Sequence, residues 1–85
     1  MMIDDRKLKL AILQSLDRSR GVMLPEAALL QEVRDTAPVV PTHTEFISTL
    51  SMLEAQGYLT GITPELGGRP KWRITDKGRA ALANS

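Results

Sequence analysis

The chain contains no cysteine and a single histidine, His43. The first absence removes disulfides and thiolate metal sites, and with one imidazole no His/Cys cluster can hold a metal. A nucleophile, base and orienter would have to be assembled around that one histidine, with no glycine-framed serine elbow to present the nucleophile. Gly67-Gly68 is followed neither by Gly-Lys-Ser/Thr nor by the start of a helix, so it reads as a hairpin turn rather than a phosphate loop. The carboxylates are scattered over amphipathic faces as solvating groups. Neither catalysis nor a bound cofactor or metal is expected.

No apolar run approaches the roughly 18 residues of a membrane span, and the N-terminus lacks the pattern of a signal peptide. Both point to a cytoplasmic protein. The 85 residues make a single domain. A chain this short buries only about 60–65% of its unfolded surface, so a partner or a second copy would help its stability. Its formal net charge of +1 is unevenly placed. Residues 1–35 are balanced, residues 36–68 contain no Lys or Arg and three glutamates, and residues 69–85 set five cations against Asp76 alone.

A first helix is expected from Asp4 to about Asp17. Leu8, Ala11, Ile12 and Leu16 share one face, Asp4 and Asp5 suit the positive end of the helix dipole, and Leu10 and Leu13 widen the apolar stripe. That wide stripe can cover the last helix of the same chain. Alternatively it is a homodimer seam built from Ile3, Leu10, Leu13 and the Ala80-Ala81-Leu82 end. Ser19-Arg20-Gly21 breaks the helix, and Val22-Met23-Leu24 reads as a short strand. Pro25 fits the first position of a second helix, with Glu26 favouring its N-terminus. Ala28, Leu29, Leu30 (or Ala27) and Val33 are its expected buried side. Pro38 and Pro41 end it near Thr36, leaving Ala37 to Pro41 as a turn.

Thr42 and Glu45 then have the Thr-x-x-Glu spacing of a capping box. Phe46, Ile47, Leu50 and Leu53 form a helical stripe that stops at Gly57. Tyr58 to Thr63 is too short for a helix and rich in β-formers. The segment from Pro64 to Arg69 reverses the chain, and Pro70 to Thr75 alternates cation with large apolar residue, as a half-exposed strand does. Arg69, Lys71 and Arg73 fall on one strand face, opposite Trp72 and Ile74. Asp76 is expected to cap a final helix, Lys77 to Ala83.

From Gly57 to Gly78 the chain resembles winged helix-turn-helix domains, especially small transcription regulators of the multiple-antibiotic-resistance and phenolic-acid-response types. The matching pieces are Leu53-Glu54-Ala55-Gln56-Gly57-Tyr58-Leu59, Gly68-Arg69, and Trp72-Arg73-Ile74-Thr75-Asp76-Lys77-Gly78. The resemblance implies an α+β winged helix-turn-helix over residues 1–85. Its parts are a three-helix core, a short strand, a two-stranded wing and a short C-terminal helix. It also implies a bacterial or phage regulator of transcription, with double-stranded DNA as partner.

The residues allow that function. On a wheel of about 100° per residue, Thr44, Ser48, Ser51 and Ala55 turn outward from the third helix, with Thr42 and His43 at its leading end. Short hydroxyl side chains let a helix approach base edges in the major groove. Arg69, Lys71 and Arg73 suit phosphates, and three such contacts give a log–log salt slope of about −2.7. The same hydroxyls and cations can equally be a solvated surface. Glu45 and the lack of Lys or Arg on the third helix speak against strong groove binding. A winged-helix adaptor that binds protein instead is the alternative, and a third helix with Met52 and without Lys or Arg suits it.

Overall fold

A computed structural model describes residues 5–19, 22–36 and 41–84. The first helix, α1 (Asp5–Arg18), carries a buried arc too wide for a helix with one neighbour: Leu8, Ala11, Ile12, Leu13, Ser15 and Leu16 are all enclosed. It lies against α2 (Glu26–Thr36), α3 (His43–Ala55), α4 (Asp76–Ala83) and β3 (Lys71–Ile74), so it forms the centre of the core. Leu13, open to packing within the chain or to an intermolecular seam, is buried inside its own chain. Burying one such leucine contributes about 1.5–3 kcal/mol, which surrounding it with neighbouring elements supplies. Leu10 is half-buried, Leu82 packs on the core from α4, and Ile3 lies outside the described residues.

The Arg18 guanidinium binds α1 to α2, donating to Glu32 Oε1 at 3.2 Å and Thr36 Oγ1 at 3.1 Å. The short strand after α1 is β1 (Leu24–Pro25), shifted toward the C-terminus from the expected Val22–Leu24. Pro25 belongs to this strand rather than to the first turn of α2. Antiparallel pairing of Leu24 with Trp72 and Pro25 with Lys71 sets the shift, and an edge strand tolerates the missing proline amide. The enclosed residues of α2 are Glu26, Leu29 and Val33. Ala28, expected inside, is exposed because it sits about 100° around the helix from Leu29. The expected turn from Ala37 lies outside the described residues up to Val40. Arg34 Nη2, donating to Pro41 O at 3.3 Å, ties the end of α2 to the approach to α3.

Both ends of α3 follow from local chemistry. Thr42 Oγ1 accepts from the Glu45 amide at 3.1 Å, and Glu45 Oε1 accepts from the Thr42 amide at 2.9 Å, closing the capping box. At the other end Gly57 takes φ +83°, its amide donating to Glu54 O and the Tyr58 amide to Leu53 O, both at 2.9 Å. This pair of bonds is a Schellman stop, which needs the left-handed backbone that glycine adopts freely.

The wing pairs β2 (Leu59–Ile62) with β3 antiparallel, from Leu59 opposite Ile74 to Ile62 opposite Lys71, in the sheet order β1-β3-β2. Trp72 and Ile74 point into the core while Lys71 and Arg73 point out. Gly61 passes beneath the indole, where a Cβ would come within 2.8 Å of the ring. The cap of α4 is Thr75, whose hydroxyl accepts the Gly78 amide at 3.0 Å, and Asp76 is the first helical residue instead.

Candidate nucleic-acid interface

The inward row of α3 is Phe46, Thr49, Leu50 and Leu53. Thr49 keeps its buried hydroxyl satisfied by donating to Glu45 O at 2.9 Å, so a polar residue sits in an otherwise apolar row. With that side anchored, Thr44, Ser48, Ser51 and Ala55 all lie exposed on the opposite side, as the helical spacing requires. Met52, 40% exposed, joins them. Thr42 is exposed too, but its hydroxyl oxygen is committed to the capping box. His43 opens the helix with its side chain 60% exposed.

On the wing, Lys71 and Arg73 are exposed on the outer face of β3, and neither makes an ion pair among the described residues. Arg69 behaves differently from the expected third member of that row. It precedes the strand, after Gly67 and Gly68 at φ +89° and +111°, and its guanidinium reaches back to α2. Arg69 Nη1 donates to Glu26 Oε2 at 2.9 Å. The same carboxylate oxygen stands 3.7 Å from His43 Nε2, a pair that carries charge only when the ring is protonated. Three elements thus meet at one carboxylate: the start of α2, the start of α3 and the base of the wing.

Glu26 is the member of this surface that reading the sequence missed. It was visible as an acid suited to a helix N-terminus, but its partner lies 43 residues away in the chain. Lys77 was also invisible as a constraint. Its Nζ donates to Gln56 O at 2.7 Å and lies 5.1 Å from the centre of the Tyr58 ring. The ammonium therefore answers the negative end of α3 and stacks on an aromatic face. Among the described residues no group of three or more His, Asp or Glu side chains could hold a metal ion, and no helix is long and apolar enough to cross a membrane.

The fold is shared with solved structures, transcription regulators among them. A PadR family transcription regulator from Clostridium difficile matches 91% of this chain and 80% of its own, with TM-score 0.74 and 14% identity. The smu.1704 protein from Streptococcus mutans matches 99% of this chain and 76% of its own, with TM-score 0.75 and 21% identity. The PcaV transcriptional regulator from Streptomyces coelicolor, solved with its natural ligand, matches 88% of this chain at TM-score 0.69 and 20% identity. This chain spans only 48% of that regulator. No protein-family model and no curated protein matches the sequence. At these identities the likeness establishes the fold, a winged helix-turn-helix, across most of the chain.

Proposed function

We propose that this chain is a double-stranded DNA-binding regulator of transcription, acting in the cytoplasm. In this reading α3 lies in the major groove, Thr44, Ser48 and Ser51 meet base edges, and Thr42 and His43 lead its approach. Lys71, Arg73 and Arg69 face phosphates. One observation supports the reading: a row of short hydroxyl side chains on a helix pinned at both ends, beside a β-ribbon whose Lys71 and Arg73 make no ion pair among the described residues. Phosphate contacts would position the domain while the hydroxyl row discriminates between sequences. A homodimer would set two copies of α3 in successive major grooves, about 34 Å apart, with Leu10 and the α4 end at its seam.

Exposed Met52 on an α3 without Lys or Arg favours a second reading, a surface that binds another protein. Titration of labelled random duplexes at low and physiological salt, with molar mass measured by light scattering, separates the two. The DNA reading expects saturable binding that weakens steeply with salt, and selection from the pool expects Thr44→Ala and Ser48→Ala to change the enriched sequence. No duplex binding at low salt, or an unchanged enriched sequence, would move the assignment to the protein-binding surface.

A further inference from the structure

We infer that Glu26 is an internal competitor for the cations of the DNA-facing surface, limiting how tightly the chain holds any duplex. The inference rests on the DNA-binding reading above. Its basis is placement. The Glu26 side chain is only 11% exposed, yet one of its oxygens receives Arg69 at 2.9 Å and faces His43 at 3.7 Å. Those two groups come from the wing base and from the first residue of α3, the two elements that would embrace a duplex. The Arg69 side chain, by contrast, remains 73% exposed and open to a second anion.

A carboxylate and a phosphate make the same kind of bond to a guanidinium, charge-assisted and short. Whatever anion the duplex offers to Arg69 must therefore displace or share the one already there. The charge distribution makes this consequential. No Lys or Arg occurs between residues 36 and 68, so α3 brings no Lys or Arg of its own, and the Arg69 guanidinium, which meets the same carboxylate oxygen as His43 at the leading end of α3, is neutralised by Glu26. The carboxylate also repels the phosphate that would approach His43. Both effects act on the backbone contact and are blind to base sequence.

The test is Glu26→Gln, which keeps the side-chain shape and removes the charge. Binding to random duplex is measured across salt concentrations for the parent, Glu26→Gln, Arg69→Ala and the double variant. The expected result is tighter binding of Glu26→Gln at low salt, by about three- to tenfold, uniformly across sequences. Its log–log salt slope should steepen by about 0.9, one additional phosphate. In the Arg69→Ala background most of that gain should vanish. Equal or weaker binding by Glu26→Gln, with the parent binding well, overturns the competitor role and leaves the DNA reading standing. If the parent binds no duplex, the DNA reading falls and this inference with it. Should thermal unfolding show that Glu26→Gln does not fold, Glu26→Ala replaces it. Failure of both to fold would make Glu26 a structural residue and also overturn the proposal.

Discussion

Glu54, on the last turn of α3, accepts the amide hydrogen of Gly61 at 3.0 Å. Gly61 lies in β2, an edge strand of the sheet, so the carboxylate occupies a donor that a further strand would otherwise bind. The bond also fixes the wing against the end of the proposed recognition helix. An edge strand without charges of its own is a template for pairing between molecules, and Leu59 to Ile62 contains none. Glu54→Ala is expected to cost about 1 kcal/mol, lowering Tm by about 4–8 °C for a domain this small. Self-association should rise with concentration. Thermal unfolding and light scattering check both; a variant that melts with the parent and stays equally monodisperse removes this role.

A second close approach decides the fate of Gly78. A Cβ there would fall on the Tyr58 carbonyl oxygen and within 2.7 Å of Ile74 Cγ1. The carbonyl cannot easily retreat, because it also accepts the Thr75 amide at 3.1 Å. Alanine would gain about 0.5–1 kcal/mol over glycine in a helix interior, whereas forcing an extra carbon into a packed contact costs about 1–3 kcal/mol. The clash wins. Gly78→Ala should destabilise, measured by denaturant unfolding, while Ser51→Ala, at an exposed helical position, should not.

What was legible in the sequence is what depends on neighbours within one turn. The capping box at Thr42 and Glu45, the stop at Gly57 and the alternation of Lys71, Trp72, Arg73 and Ile74 are all set by separations of a few residues. The errors sit where distant segments decide. Glu26 and Arg69 meet only because the sheet brings the wing base beside the start of α2. The shift of β1 to Leu24–Pro25 reflects its register against Trp72 and Lys71. Leu13 stayed open between its own chain and a partner because nothing local reveals how fully α1 is surrounded.

The cap of α4 illustrates the limit from close range. Thr75 and Asp76 are both good N-cap residues, and only the backbone distinguishes them. Thr75 takes the extended conformation, φ −95° and ψ 170°, and its hydroxyl both accepts from Gly78 and donates to Gly57 O at 2.6 Å. One side chain thereby joins the start of α4 to the end of α3. Asp76 is fully exposed and, among the described residues, makes only a surface pair with Arg79 at 3.2 Å. Thr75→Ala is expected to cost about 1–2 kcal/mol, and Asp76→Ala clearly less. Equal losses in thermal unfolding would return the cap to Asp76.

Lys71 and Arg73 offer the cleanest test of the wing, since both project from β3 and their removal disturbs no ion pair among the described residues. If each neutralises one phosphate, the two together account for a log–log salt slope of about −1.8. Lys71→Ala with Arg73→Ala should therefore flatten the slope by about that amount and weaken binding to every duplex alike, because phosphates carry no sequence information. Arg69→Ala should do less at low salt than either of these, since part of its charge is already answered by Glu26. Binding measured over a range of salt on several unrelated duplexes resolves the difference. A double variant with the parent's slope would show that the outer face of β3 never touches the backbone and would withdraw the wing from the interface.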